Sequence, residues 1–248
     1  MRKHWLLTSI VALLTVCRAS LAYAQTVDEI VEKYLTAVGG REALAKLTSR
    51  TMTGTITIAT PQGDLSGPVE IYAQAPNKSR TLVKLDLSAF GAGQMTVDQR
   101  FDGTAGYVID TLQGNRDITG GQLENMRNAA FPSPLLNYKE RGATLELMGK
   151  EKVGDRDAYV LILKPKAGPA ARTFIDAESY LPLRVVTKLD VPQFGEVEQT
   201  AEFSDYRAVD GVKIPFAVRA TSAVQNSTVA ISKVEHNTKL DETMFSKP

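Results

Sequence analysis

The chain has 248 residues, with 29 Lys and Arg against 28 Asp and Glu, a formal net charge of +1 and 43% hydrophobic residues. So even a balance excludes a nucleic-acid partner, which calls for a clustered basic face. A single cysteine, Cys17, excludes a disulfide framework and leaves stability to an ordinary hydrophobic core, and the length suits one domain.

The N-terminus reads as an export signal. Met1, Arg2, Lys3 and His4 precede an uncharged run from Trp5 to Val16, which is far shorter than the roughly 20 residues that span a bilayer. Ala22-Tyr23-Ala24 then offers small residues where a signal peptidase reads them, so the expected cut follows Ala24 and the remaining chain is periplasmic. Cys17 is a poorer candidate for lipidation, because Val16 stands where a lipobox wants a small residue. Removing residues 1–24 takes away Cys17, Trp5, His4 and three basic residues, which leaves His236 as the sole histidine and a formal charge of −2.

Residues 25–248 begin with a helix. Thr26 and Glu29 form a capping box, Val27, Ile30, Val31, Tyr34, Leu35 and Val38 recur at helical spacing, and Gly39-Gly40 ends the segment. A second short helix is expected over Arg41 to Leu47. From Arg50 the period changes to two, as Met52, Gly54, Ile56 and Ile58 alternate with threonines. Comparable runs are Val69 to Gln74, Arg80 to Leu87, Gln94 to Phe101, Ala105 to Asp110, Thr144 to Val153 and Ala158 to Lys164. They continue through Ala171 to Asp176, Leu183 to Leu189, Val197 to Val209, Lys213 to Ser222 and Ser227 to Val234. Turn residues such as Asp102-Gly103 and Asp210-Gly211 sit between them, which favours an antiparallel meander. Thr119 to Tyr138 interrupts the pattern with a helix on which Leu123, Met126 and Ala130 share a face, followed by the stiff apolar Phe131 to Leu136.

Little of the chain carries the marks of catalysis. No metal-ligand spacing exists, and His236 has neither a cysteine nor any visible partner, so no metal and no cofactor is expected. Gly91-Ala92-Gly93 lacks the Lys-Ser/Thr and helix of a phosphate loop and reads as a strand connection. Asp28-Glu29 and Glu196/Glu198 read as polar faces rather than as an acid and base pair.

About eleven strands do not stay flat, so the expected fold is mainly β with a few helices: a curved antiparallel sheet that must curl, split or close, with two helical segments available to plug its concave side. Alternation and helix stripes alone make a plain core more readily than a ligand cavity; for a cavity, the wall residues are Met52, Ile56, Ile71, Val83, Leu85, Met95, Leu145, Leu147 and Phe203, and the lid contacts Leu35, Leu123, Met126 and Leu136.

Several segments carry a family resemblance. The opening TVDEIVEKYLTAVGGREALAKLTSRTMTGTITI is similar to the start of the LolA-like exported proteins, often described as outer-membrane lipoprotein-sorting proteins. VEIYAQAPNKSR, RTFIDAESYLPLRV, AEFSDYRAVDGVKIPF and the closing FSKP follow the same pattern in order. The resemblance implies a half-barrel lidded by helices around an apolar cavity that takes acyl chains, with binding and release and no covalent chemistry. It also implies an arginine that locks the lid, for which Arg41 and Arg80 are the candidates.

The function expected is a periplasmic, non-catalytic carrier, monomeric, whose partners are the acyl chains of lipids or lipoproteins and envelope proteins of the inner or outer membrane. The rivals are a ligand-free protein–protein interaction module of the envelope and a hydrolase working through cavity carboxylates.

Overall fold

The protein is described by a computed structural model covering residues 25–191 and 194–248; the leader and the cut after Ala24 lie outside the described residues. Helix α1 (Val27–Ala37) starts where its cap demands: the Glu29 amide donates to Thr26 Oγ1 at 3.2 Å and the Thr26 amide to Glu29 Oε2 at 2.9 Å. Gly39, at φ +129°, lets the chain turn against the hairpin at 210–212. A Cβ there would lie 2.5 Å from the Gly211 carbonyl oxygen, so only glycine fits. Helix α2 (Arg41–Ala45) follows, shorter than the span to Leu47 expected from sequence.

The strands are β1 (Ser49–Ala59), β2 (Leu65–Gln74), β3 (Lys78–Asp86), β4 (Gln94–Phe101), β5 (Gly106–Asp110), β6 (Arg116–Ile118), β7 (Thr144–Val153), β8 (Arg156–Lys164), β9 (Ala171–Asp176), β10 (Pro182–Val191), β11 (Gly195–Val209), β12 (Val212–Ser222) and β13 (Asn226–His236). All thirteen belong to one antiparallel sheet, ordered β6-β5-β4-β3-β2-β1-β13-β12-β11-β10-β9-β8-β7. Among the described residues there are thirteen strands against the expected count of about eleven; twelve match the runs named from sequence, and the three-residue β6 is too short to leave a period-two signature. The curved sheet does not close into a barrel, as expected. Its arrangement is two meanders joined where the first strand pairs with the last, Arg50 opposite His236 and Ile56 opposite Val229.

That join leaves β6 and β7 as free edges, and residues 119–143 connect one edge to the other. The connection has to pass over the concave side. Its first part is helix α3 (Gly120–Asn128), which has no fully buried residue and is tied down by polar contacts. Asn125 Nδ2 donates to the Lys188 carbonyl on β10 at 2.7 Å, and Asn128 Nδ2 to the Ala167 carbonyl at 2.8 Å. On the opposite side Arg127 donates to the Thr104 carbonyl at 3.1 Å, so α3 straps the two halves of the sheet together. The second part enters the core: Phe131, Leu135 and Tyr138 are buried with Ile30, Val31 and Leu35 of α1 over Leu161, Leu163 and Ile175. Tyr34 Oη and Ser133 Oγ, 2.8 Å apart, lock α1 to this segment.

The free edges are protected. β6 spans three residues, and β7 carries Glu146, Lys150, Glu151 and Lys152 with a register shift between Leu147 and Gly149, features that discourage strand addition.

Two helices thus cover the sheet by different means. Leu35, at 1% exposure, should cost about 2–5 kcal/mol as Leu35→Ala, whereas Leu123→Ala on the polar-tethered α3 should cost about 1 kcal/mol or less. Urea unfolding with an unchanged m-value measures both; equal losses would contradict the distinction between a fixed plug and a strap.

Candidate ligand-binding site

Cross-strand register places the concave wall. Met52 faces Ile71, Ile56 faces Val229, Val229 faces Val218 and Val218 faces Phe203. Val69 faces Val83 and Leu85 faces Met95; Leu147 faces Leu161, whose chain of partners runs through Thr173 and Val185 to Ala201. Directly paired side chains share a face, so the nine wall residues expected from sequence all lie on one side of the sheet.

They do not all share one cavity. An apolar cavity of about 250 Å³ is lined by Met52, Ile71 and Phe203 with Arg50, Ile214, Pro215, Val218, Val229 and Ile231. A second, of about 230 Å³, lies under α1, α2 and the Pro132–Leu135 segment and shares Arg50, Phe203, Ile214 and Pro215 with the first. The two are lobes around one guanidinium. Leu145 and Leu147 instead pack against the core beneath α1, and Leu85 is 3% exposed. Ile56, Val83 and Met95 are half-buried on the same face outside the lining of either lobe. Among the expected lid residues, Leu35 is buried in the core, Leu136 packs on that core, and Leu123 and Met126 are half-buried on α3, where Gln99 Nε2 lies 3.5 Å from Met126 Sδ. A larger recess, about 390 Å³, opens beside α1 and β7, but its rim is the exposed Asp28–Lys139 ion pair, and it offers no comparable apolar wall.

Arg50 is the residue that pattern reading passed over. It is in phase with Met52, Gly54 and Ile56, and that phase alone marks it as a cation on the greasy face of β1. Enclosed by the sheet and helices, it keeps part of its surface toward the lobes, and among the described residues it makes no hydrogen bond or ion pair; its Nε is buried and unsatisfied. Burial pushes its pKa down to about 10, so it stays charged at neutral pH. The Phe131 ring, 5.3 Å from the guanidinium carbon, supplies a cation–π contact worth about 2 kcal/mol at best, against a desolvation cost of several kcal/mol for a buried ion. The charge is left largely uncompensated.

The neighbouring polar groups are committed elsewhere. Tyr34 is bonded to Ser133, and Tyr206 donates to the Pro182 carbonyl at 2.8 Å; burial raises both phenol pKa values. Tyr206 reaches the lobe beside Asp205, whose φ of 53° interrupts the β11 alternation and hid the residue from period-two reading. His236, expected without a partner, has one: Nδ1 lies 3.1 Å from Asp210 Oδ2. Asp210 sits in the β11–β12 turn, so only the pairing of β12 with β13 brings it near. The side chain of His236 is 1% exposed and its Nε2 unsatisfied; burial lowers its pKa, Asp210 raises it, and the positive charge of Arg50 lowers it.

The candidate lid-locking arginines are spent on carboxylates. Arg41 pairs with Glu32 at 2.5 Å, and Arg80 makes two 2.8 Å bonds to the buried Asp98, which Arg100 also holds. Both guanidiniums depress the Asp98 pKa against the opposing effect of burial. Glu196 and Glu198 are engaged across strands by Lys188 and Arg172. Among the described residues no group of three or more His, Cys, Asp or Glu is placed to hold a metal ion.

A family model described as an uncharacterized protein matches residues 137–248, and no curated protein matches the chain. Solved structures do. A domain described as an outer membrane lipoprotein-sorting protein from Vibrio parahaemolyticus superposes with a TM-score of 0.56 at 13% identity, covering 88% of this chain and 94% of its own. A LolA superfamily protein from Nitrosomonas europaea gives 0.55 at 15% identity, covering 90% and 99%. Identities this low establish the fold, which is the LolA-like open barrel that the sequence segments resemble.

The geometry around His236 sets a titration. Of the two imidazoles in the chain, the one lost in His236→Gln should titrate below 6.5 by NMR and move upward in Arg50→Met, which removes the neighbouring positive charge. Because the folded state favours the neutral ring, its contribution to stability is full above 6.5 and is lost as pH falls through the folded pKa. A wild-type titration at or above 6.5 would contradict this environment.

Proposed function

We propose that this protein, built on the open barrel of lipoprotein-sorting proteins, is an exported carrier that holds hydrocarbon chains of lipids or lipoproteins on the concave face, without covalent chemistry. The observation that supports it is the pair of apolar lobes meeting at Arg50, inside a sheet whose opening is crossed by a helix with no buried residue. Together the lobes, of about 250 and 230 Å³, reach the range of about 300–1,000 Å³ typical of small-molecule sites. At about 0.8 kcal/mol per buried methylene, about ten methylenes contribute about 8 kcal/mol, the scale of a micromolar complex before association costs are subtracted.

In this reading Met52, Ile71 and Phe203 touch the chain. Ile56, Val83, Leu85 and Met95 extend the same wall toward β4, Leu145 and Leu147 support the plug, and α3 with Leu123 and Met126 is the part that lifts to admit cargo. Residues 25–248 act as one monomeric unit in the periplasm, exchanging cargo with membrane-bound envelope proteins. A ligand-free docking module is the other reading, and the exposed Leu112, Met148 and Phe194, between 56% and 66% accessible, speak for it. The short β6 and the charged, bulged β7 speak against strand addition at the edges.

Solvent extraction of protein purified from the cell envelope should release acyl lipid, and the delipidated protein should take up a fluorescent fatty acid. Met52→Glu, which puts a charge into the apolar wall of the lobe under the sheet seam, should weaken that uptake about tenfold or more, about 1.4 kcal/mol per decade. Absence of copurified lipid together with no uptake would favour the docking module.

A further inference from the structure

The lobes are greasy, yet the residue at their junction is a cation that nothing neutralises among the described residues. Neither lobe is lined by an Asp or Glu; the ionisable residues lining them are Arg50, Lys213 and two tyrosines, and both tyrosine hydroxyls already have partners. Desolvating an unpaired guanidinium is retained cost in the empty protein unless something pairs with it. A guanidinium also presents parallel N–H groups that fit the two oxygens of a carboxylate or phosphate. One of those donors, Nε, is buried and unsatisfied, and Arg50 itself lines both lobes, of which the one under the sheet seam has otherwise hydrocarbon walls.

We propose that Arg50 is the headgroup anchor of an anionic amphiphile: a single carboxylate or phosphate pairs with its guanidinium while the attached hydrocarbon chain runs along Met52, Ile71, Val229 and Val218. This rests on the carrier reading and narrows it to cargo bearing a negative charge next to its chain. Neutral glycerides and fatty alcohols fill the same wall and leave the guanidinium bare. Phe131, stacked on Arg50, belongs to the segment that follows α3, so a bound headgroup sits directly beneath the connection that crosses the mouth. Arg50 in the empty protein is a cost that the ligand removes.

The test compares three sixteen-carbon probes that differ only in the head, a carboxylate, a phosphate monoester and an alcohol, on the full chain and on its Arg50→Met and Arg50→Lys variants. The wild type should bind at least one anionic probe about tenfold or more tighter than the alcohol. Preference for the carboxylate assigns a fatty-acid-like cargo, and preference for the phosphate assigns a lysophospholipid-like one. Arg50→Met should erase the preference by bringing the anionic probe down to the alcohol's affinity, and Arg50→Lys should keep part of it. A structural role would not produce the second readout: ligand-free Arg50→Met should melt a few degrees higher than the wild type while losing the stabilisation that the anionic probe confers. Binding of all three probes with equal affinity, or a head preference that survives in Arg50→Met, overturns the anchor and leaves the carrier intact. Failure of every probe to bind the wild type overturns both.

Discussion

The pairing of β1 with β13 governs this molecule. It joins strands at opposite ends of the chain, with Arg50 opposite His236 and Ala59 opposite Asn226, and so turns two meanders into one continuous sheet. Closing so long a loop is entropically unfavourable, and the return comes from the apolar face that the joined sheet encloses. Because the join is in the middle, the free edges are β6 and β7, and the chain between them must cross the concavity. That covering segment is therefore a consequence of topology. Its two parts differ in chemistry, the Phe131–Tyr138 segment packed into the core with α1 and α3 held by side-chain amides and an arginine.

The same join assembles the candidate site. β1 brings Arg50, Met52 and Ile56 to the seam, β13 brings Val229 and Ile231, and β12 and β11 bring Val218 and Phe203. Strand alternation makes that surface hydrocarbon except at Arg50, whose charge is met by an aromatic face and not by a carboxylate. A buried cation of this kind weakens the fold that carries it, as binding sites commonly do when function competes with stability. Elsewhere the protein neutralises its buried charges: Asp98 lies between Arg80 and Arg100, and Asp176 meets Arg156 and Ser179. Arg50 stands out against that practice.

Much of the architecture was legible in the residues. Threonine and aliphatic alternation in β1, the Thr26–Glu29 box and the Asp210-Gly211 turn, at φ values of 50° and 78°, each act through neighbours a few residues apart, and their outcome follows from local chemistry. What escaped was set by distance along the chain. The β1–β13 join decides which alternating residues meet, so period two could group Leu145 with Met52 on one face while one lies under α1 and the other lines a cavity. Leu35 reads equally as lid or core until the sheet beneath it is known. Asp210 and His236 are 26 positions apart and meet only through β12 and β13. Arg50 carries a readable signal, a charge in phase with Met52 and Ile56, which apolar periodicity by itself does not single out.

A crystal structure of the protein with a bound long-chain anionic amphiphile bears most directly on the claim that a charged head is seated inside an apolar wall. The account predicts headgroup oxygens within about 3 Å of the Arg50 guanidinium and a hydrocarbon chain lying along Met52, Ile71 and Val229. A chain seated outside the two lobes, or a headgroup turned to solvent with Arg50 still unpaired, would contradict it.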